Sequence, residues 1–590
     1  MKKRIAAVLL TTVITGVLCG CGAGAGEPAA QAAAKSEAVQ EQKGSGQQEQ
    51  AGQAQEEAGQ AEEVTGQAQE ETAQTQNTAQ PAEAQGESAQ DEEAQSGGRP
   101  VFVLQNHSRM AEQGLTLIAS GFYDTVRLTE EAAIDYPELN KAIEAENDRI
   151  KEEYEKTFTE VKEAAESAIA DKREDTEEFP QGNVEGKIVP VRCDRSVLSF
   201  YDVTSLYYPG AAHGSVGYTG YNYRPENGEP IALADVFKDP AGLKPVVAKY
   251  LRAQADGSTL DDAEDMLQYY FDEGLNDLKW VIDQEGVTFL FAPSDIAPYA
   301  MGTLESRIPF DEEAALFTGN FGPSEDGFVR TMSPFTEMTF DLDGDGSGEK
   351  LSVTGIYKEG NEIYEYSGIK VSVGDQVCET ELNCYSIQPY FVHTGDGRNY
   401  VYVITGTDSD YPELSVFEIK DGVPASVGKM GGTGLASAFY PVYVGEEYKP
   451  EESYSERYSL IDPSKFALGT RMQLMSSYSG RRFYEVGEDG MPAPLTDYYE
   501  IEADITLTSL VPLTAETVDL MTQEPTGEEK EIPAGTKLRF WRTNGVDTVD
   551  LRTEDMEAGE AFRFKVETGD GQTVNGVKLE EAFDGTMFGG

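Results

Sequence analysis

The sequence predicts a multi-domain protein with an α+β first module, then a mainly β domain that carries an Asp-rich, calcium-type loop, and then a small all-β C-terminal domain. Three observations predict this order. The chain has 590 residues, which is enough for several domains. One long helical pattern lies between residues 139 and 169. After residue 328, short alternating apolar runs are separated by Gly and Asp turns, which indicates strands.

The composition sets limits on function before any motif is considered. The formal net charge is −60, with 106 acidic and 46 basic residues. So acidic a surface repels phosphates, and we therefore expect no nucleic-acid binding. The chain has three histidines, which leaves almost no room for a multi-histidine metal centre.

The N-terminal residues have the pattern of a secretory signal peptide, which we assign to residues 1–20. Lys2, Lys3 and Arg4 precede an apolar stretch that ends at Leu18 and is too short to span a bilayer comfortably. The end of this stretch, residues 18–21, resembles the lipobox of bacterial lipoproteins. The resemblance implies cleavage before Cys21, a diacylglycerol on its thiol, and a position on the outer face of the cytoplasmic membrane, facing the cell wall. The alternative is an ordinary secreted protein that is cleaved nearby.

Residues 21–98 predict a disordered tether. After Cys21 they consist of Ala, Gln, Glu, Gly, Ser and Thr almost throughout, with 15 acids against two lysines and with Val39 and Val64 as the only large apolar residues. Such a segment cannot bury enough apolar surface to offset the entropy of ordering. We expect it to carry the head of the protein away from the membrane.

The first module is assigned to residues 99–320. Strand-like alternation at residues 101–104 and 115–126 precedes the helical stripe at 139–169, whose apolar residues recur at steps of three, four, seven or eight. Strand patterns resume at 187–191 and 197–203. We interpret the apolar stripe of the helix as core-facing.

Several ordered motifs follow within this module. A Gly-rich turn at residues 207–214 precedes strands at 221–223 and 228–237, and a further motif lies at 295–302. This order resembles the extracellular module of the lysozyme-sensing anti-sigma factors of Gram-positive bacteria, which also precedes the catalytic domain of some peptidoglycan deacetylases. Ala211 and Tyr223 depart mildly from that pattern. The module has no known biochemical activity, so the resemblance implies a fold and a wall-facing recognition role.

The Gly-rich turn contains candidate ligand-binding residues. His213 lies near Tyr207 and Tyr208, where a histidine can act as a general base or contact a ligand. No nucleophile or carboxylate accompanies it at a telling spacing. We therefore expect a buried, hydrogen-bonded, structural His213, with ligand binding as the alternative.

The second domain, residues 328–490, carries the clearest chemical motif. Asp341, Asp343, Asp345 and Glu349 alternate along a short glycine-containing loop, and the backbone carbonyl of Ser347 can join their oxygens around one hard cation. The flanks are strand-like, so the motif resembles the calcium loops on β-hairpins of FG-GAP-type repeats rather than an EF-hand. We predict a structural calcium ion; the alternative is a plain β-turn that binds nothing.

The remaining pattern is all-β and predicts a sandwich or a partial propeller-like domain. Cys378 and Cys384 lie six residues apart and either close a small disulfide loop or stay reduced. The third domain, residues 498–590, faintly resembles bacterial SH3-like wall-binding modules at residues 532–538. Trp541 in that domain is either a core residue or a ligand-stacking platform.

The sequence therefore favours a lipid-anchored, extracytoplasmic protein with a non-catalytic recognition or scaffold role at the cell wall. Its expected partner is a wall glycan such as peptidoglycan, a wall enzyme, or a basic host protein such as lysozyme. None of the common hydrolase, metalloprotease, nucleotide-binding or redox motifs is present. The alternative is a peptidoglycan-modifying or hydrolysing enzyme that uses an unidentified carboxylate pair.

Overall fold

In the part of the chain that the structure describes, the α-helices lie between residues 130 and 272 and at residues 579–582, and nearly all of the remaining regular structure is β. The computed structural model describes residues 98–170, 181–254, 263–343, 348–358, 365–407, 411–444, 447–450, 452–501, 503–553 and 559–589. The predicted signal peptide, Cys21 and the predicted tether lie outside these residues. Among the helices described, none combines the length and the apolar character that a membrane span requires.

The first segment forms two long antiparallel strands, two helices and three further strands. They are β1 (Phe102–Gln113), β2 (Thr116–Leu128), α1 (Glu130–Asp135), α2 (Pro137–Ala170), β3 (Gly182–Cys193), β4 (Leu198–Tyr207) and β5 (Ser215–Tyr223). The predicted helical stripe is α2, which buries Leu139, Ile143, Tyr154, Phe158 and Val161. The stripe therefore faces the core, as the spacing predicts.

The second segment is a small three-stranded antiparallel sheet covered by helices. Its elements are α3 (Leu233–Val236), α4 (Lys244–Gln254), α5 (Ala263–Asp272), β6 (Lys279–Ile282), β7 (Gly286–Phe291) and β8 (Leu304–Pro309), with short 3₁₀ turns at Pro240–Gly242 and Tyr299–Met301. Val247, Leu251 and Leu267 of the helices share one buried cluster with Phe289 and Ile308 of the sheet.

The third segment is a β-sandwich. Its strands are β9 (Gly327–Thr331), β10 (Glu337–Phe340), β11 (Glu349–Tyr357), β12 (Tyr366–Val373), β13 (Gln376–Cys384), β14 (Ser386–Thr394), β15 (Asn399–Gly406), β16 (Pro412–Lys420) and β17 (Val423–Gly431). A four-stranded sheet, β10-β11-β12-β13, packs on a five-stranded sheet, β17-β16-β15-β14-β9. Val353 and Ile369 of the first sheet meet Phe391 and Phe417 of the second in one core. Of the two expected architectures, the chain adopts the sandwich.

After residue 432, the regular structure that is described consists almost entirely of strands. They are β18 (Thr433–Leu435), β19 (Ser437–Tyr440), β20 (Tyr443–Val444), β21 (Glu447–Tyr448), β22 (Tyr454–Tyr458), β23 (Phe466–Gln473), β24 (Ser477–Val486), β25 (Pro492–Pro494), β26 (Tyr499–Ile501), β27 (Thr506–Ser509), β28 (Leu513–Val518), β29 (Pro525–Ile532), β30 (Lys537–Thr543), β31 (Thr548–Thr553), β32 (Ala561–Gly569), β33 (Gly571–Val574), β34 (Val577–Lys578), α6 (Leu579–Ala582) and β35 (Phe583–Asp584).

Strand pairing crosses both of the boundaries that separate the predicted domains. β19 and β22 extend the first sheet, whose order is β19-β22-β1-β2-β3-β4-β5. β18, β23 and β24 join the strands of the C-terminal segment in a single 14-stranded sheet. The sequence pattern does not reveal the pairing of β1 with β22, because these strands are more than 300 residues apart along the chain.

Buried ion pairs hold the junction between the first three segments. Asp283, which has no exposed surface, lies between Arg307 at 3.0 Å and Arg330 at 2.8 Å. Arg192 pairs with Asp194 at 2.6 Å and donates one hydrogen bond to the backbone carbonyl of Asp283 at 3.0 Å. In a dry junction, such charges remain ionised only because each has an opposite charge or a hydrogen-bond partner.

Candidate functional site

A row of four aromatic rings crosses the first sheet at right angles to its strands. The strand register pairs Tyr440 with Tyr454, Tyr454 with His107, and His107 with Tyr123. The successive ring centroids are 5.2, 5.7 and 4.7 Å apart. Tyr123 is buried against Tyr154 of α2, whereas the other three rings of this aromatic row are half-buried. The row is therefore an apolar strip that solvent reaches at one end.

A second row, of polar groups, runs beside the aromatic row: Gln105 and Glu456 lie two residues from His107 and Tyr454 on their strands, and Arg127 lies four residues from Tyr123. Gln105 Nε2 donates a hydrogen bond to Glu456 Oε1 at 2.9 Å. Arg127 donates two hydrogen bonds to the same carboxylate, from Nε to Oε1 and from Nη2 to Oε2, both at 2.7 Å. Burial favours the neutral acid, but the bonds from Arg127 and Gln105 hold the pKa of Glu456 below its ordinary value. This polar row is preorganised, because a two-pronged Arg–carboxylate pair has a fixed geometry.

His107 joins the two rows and is neutral at physiological pH. Its Nε2 lies 3.0 Å from the hydroxyl oxygen of Thr125. Burial, aided by the charge of Lys151, lowers the pKa of His107 to about 4. The aromatic row consequently presents uncharged rings at pH 7.

We predict that His107 makes the stability of the head depend on pH between about 6.5 and 4. In that window the unfolded histidine takes up a proton and the folded one does not, so the free energy of unfolding falls as the pH falls. The expected loss is about 2 kcal/mol at pH 4.5 relative to pH 7. Denaturant unfolding of the parent and of His107→Phe at the two pH values isolates this loss as the difference between the proteins.

The comparison with His107→Phe is needed because other groups titrate with the opposite sign. Burial raises the pKa of Asp202 to about 6, so this carboxyl stabilises the folded state as the pH falls. Its contribution is common to both proteins and cancels. The prediction would be wrong if the difference in the free energy of unfolding between the parent and His107→Phe were the same at pH 7 and at pH 4.5.

The acidic loop predicted from sequence joins β10 to β11. Asp341, Asp343 and Glu349 bring one carboxylate oxygen each within 4.8 Å of one another, and Glu349 Oε2 also accepts the backbone N–H of Leu342 at 2.8 Å. Asp345 and Ser347 lie outside the described residues. Exposed acids often converge in this way without an ion, so calcium binding at this loop stays a prediction.

The residues of the Gly-rich turn do not form one site. His213 is exposed, and the expectation that it is buried is wrong: its Nδ1–H donates to the carbonyl of Gly214 at 2.8 Å, and its ring lies 4.0 Å from that of Tyr299. Tyr207 is partly exposed at the end of β4, and the hydroxyl of Tyr208 donates to Glu160 at 3.4 Å. The 3₁₀ turn that begins at Tyr299 contacts one side of the histidine and leaves the rest of its ring exposed.

Cys378 and Cys384 do not form a disulfide. Both are free and lie on the same strand, β13, which separates their Cα atoms by about 20 Å at the usual rise per residue. A disulfide requires Cα atoms less than about 7 Å apart. The spacing of six residues suggests a closed loop only if the intervening chain turns back, and here it is extended.

Two carboxylates with divergent pKa values, the buried Asp283 and the half-buried Glu285, lie at the junction. Burial opposes ionisation of Asp283, but the charges of Arg307 and Arg330 hold its pKa at about 2. Burial raises the pKa of Glu285 to about 7, although Arg307 also contacts it. Divergent pairs of this kind occur in acid–base catalysis. Both carboxylates are engaged by the same arginine, which is the arrangement of a structural ion-pair network.

The sequence pattern gives no sign of the aromatic row. His107 and Tyr123 come from the first segment, whereas Tyr440 and Tyr454 lie more than 300 residues later. No local spacing joins them, and only the register of β1 with β22 brings the four rings together.

Residues 234–311 match the model of a protein family of unknown function, DUF3298. This stretch runs from α3 into the residues just after β8. No curated protein matches the chain. The resemblance to the module of the anti-sigma factors and deacetylases stays a prediction.

Two solved structures of DUF3298 family proteins are similar to part of the chain. The protein from Bacteroides fragilis aligns at 16% identity with a TM-score of 0.28, over 38% of this chain and 96% of its own. The protein from Pseudomonas aeruginosa aligns at 16% identity with a TM-score of 0.28, over 39% of this chain and 100% of its own.

Proposed function

We propose that this protein is a lipid-anchored envelope protein with a non-catalytic recognition role, and that its head binds the glycan of the cell wall at the aromatic row. The observation that carries the proposal is the alignment of half-buried Tyr440, Tyr454 and His107 beside the fixed polar groups of Gln105, Glu456 and Arg127. Binding sites typically combine an apolar, aromatic lining with a few well-placed polar groups.

A saccharide fits these two rows better than other ligand classes do. Sugar rings present apolar C–H faces and hydroxyl-bearing edges, and these match an aromatic row and an adjacent polar row. A purely aliphatic ligand would leave Gln105 and Arg127 without new partners and desolvate them. A nucleic acid is disfavoured by the net charge of −60.

The rest of the proposal comes from the sequence. Lipidation at Cys21 would hold the chain on the outer face of the cytoplasmic membrane, and residues 22–98 would carry the head into the wall. The resemblance of the first module to wall-facing modules supports the same location. Calcium at Asp341, Asp343 and Glu349, together with Asp345 and Ser347, would brace the β10–β11 hairpin.

The proposal is tested by titrating soluble peptidoglycan glycan fragments into the purified full-length chain and into Tyr454→Ala. Removing the central half-buried ring should weaken binding roughly tenfold, since one ring contact contributes about 1 kcal/mol or more. Phe439→Ala is the matched control: Phe439 is 57% exposed on the same strand as Tyr440 but points to the other face of the sheet. Fragments that bind parent and Tyr454→Ala equally well would rule out the aromatic row as the site.

The same experiment separates the other candidate functions. Binding of lysozyme in place of glycan, weakening as salt rises, would favour a basic protein partner attracted by the overall charge. Release of soluble fragments by the parent and not by Glu285→Gln would favour the enzyme alternative, with Asp283 and Glu285 as the carboxylate pair.

A further inference from the structure

Arg552 has no anionic partner among the residues that the structure describes, although the chain is rich in acids. Among the described residues, no carboxylate pairs with it and no carbonyl accepts a hydrogen bond from it, and its Nε is enclosed without a partner. The residue as a whole stays partly exposed. The neighbouring arginines differ in this respect: Arg542 and Arg563 share Asp550, and Arg539 pairs with Asp504 at 2.6 Å.

The guanidinium of Arg552 lies over an aromatic ring. Its central carbon lies 3.6 Å from the ring centre of Trp541, and that of Arg542 lies 4.7 Å from the same ring. Trp541 is half-buried on β30 at a bulge between Phe540 and Arg542, so it is not a core residue. Stacking on an indole fixes the plane of a guanidinium and leaves its N–H edge to donate sideways.

The electrostatic setting favours the arrival of an anion at this point. Arg542 and Arg563 share the single negative charge of Asp550, and Glu516 also acts on Arg563. Burial, aided by the charge of Arg542, lowers the pKa of Arg552, whereas Glu500 opposes that shift. A bound oxyanion would supply the hydrogen-bond acceptor that the guanidinium lacks and would relieve its repulsion from Arg542.

We propose that Arg552, stacked on Trp541, is a binding site for an oxyanion, either a phosphate or a carboxylate. This site lies on β30 and β31, apart from the aromatic row, and the inference does not depend on the proposed function. The Arg–carboxylate and Arg–phosphate pairs that proteins form are planar and two-pronged, which a fixed guanidinium edge favours.

The chain provides its own reporter for the test. It has two tryptophans, Trp280 and Trp541, so in a full-length Trp280→Phe background all the tryptophan emission comes from Trp541. We would titrate inorganic phosphate and, separately, acetate into this protein and follow the emission. A saturable change with phosphate, with acetate or with both is the expected result, and the response identifies the anion.

Arg552→Gln in the same background should raise the Kd for the responding anion roughly tenfold or more, because a charge-assisted hydrogen bond is lost. Arg552→Lys keeps the charge but not the planar edge and should bind with intermediate strength. Arg539→Gln, on the facing strand position, is the matched control and should titrate like the parent. No response to either anion, or equal Kd values for parent and Arg552→Gln, would overturn the proposal. Failure of Arg552→Gln to fold would leave the comparison between parent and Arg552→Lys to decide.

Discussion

Asp283→Ala should lower the free energy of unfolding by about 3–5 kcal/mol, the usual cost of removing one partner from a buried ion pair. The substitution leaves the guanidinium groups of Arg307 and Arg330 facing each other without the carboxylate between them. It also removes the acceptor for the backbone N–H groups of Glu285 and Gly286, both at 2.8 Å, which shape the turn between β6 and β7. Thermal and denaturant unfolding of the full-length protein measure the loss.

The charge of Asp283 adds a pH dependence with a definite sign. Its pKa is about 2 in the folded chain and near 3.9 when unfolded, so its contribution is present above about pH 4 and is lost as the pH falls toward 2. Asp283→Asn, which retains an acceptor for the turn, should show a smaller fall in stability over this window than the parent.

Asp504→Asn is the matched control for Asp283. Asp504 also pairs with an arginine, Arg539, but its side chain is 66% exposed, and surface pairs of this kind contribute about 1 kcal/mol or less. If Asp283→Ala and Asp504→Asn destabilised the protein equally, the junction would not depend on the buried charge.

Asp550→Ala should have a comparable effect, about 3–5 kcal/mol, centred on the C-terminal strands. Asp550 has no exposed surface and accepts hydrogen bonds from Arg542 at 2.7 Å and from Arg563 at 2.8 and 2.9 Å. Without it, two neighbouring guanidinium groups would remain close together with no carboxylate between them. Amide hydrogen exchange should show the greatest loss of protection in β30, β31 and β32.

Asp547→Ala tests whether the effect of Asp550→Ala comes from burial. Asp547 lies three residues away, pairs with Lys565 at 3.4 Å, and has a side chain that is 49% exposed. We expect a change of roughly 0.5 kcal/mol or less. If Asp550→Ala left amide hydrogen exchange in β30–β32 unchanged, hydrophobic packing alone would hold these strands together.

Local patterns predicted most of the secondary structure. The apolar stripe at residues 139–169 became α2, and the alternation at 101–104 and 115–126 became β1 and β2. The spacing of apolar residues within a short segment indicates whether it forms a helix or a strand, and this spacing can be read from the segment alone. The convergence of Asp341, Asp343 and Glu349 was predictable for the same reason, since a single hairpin holds them.

Burial of single residues was predicted less well. His213 lies in a motif that suggested a buried histidine, yet its contact with Tyr299 leaves the ring exposed. Cys378 and Cys384 have a spacing that permits a closed loop, yet the chain between them is an extended strand. In both cases the outcome depends on what lies across from the segment, and the segment itself does not encode that.

By itself, then, the sequence determined the acidic character of the chain, the order of its helical and β segments and the hairpin that carries the acidic loop. Only the tertiary structure decided that Tyr440 and Tyr454 pair beside His107 and Tyr123, that Asp283 lies between Arg307 and Arg330, and that Arg552 stacks on Trp541. The reason is physical: composition and periodicity act over a few residues, whereas the register between distant strands is set by the packing of the whole sheet.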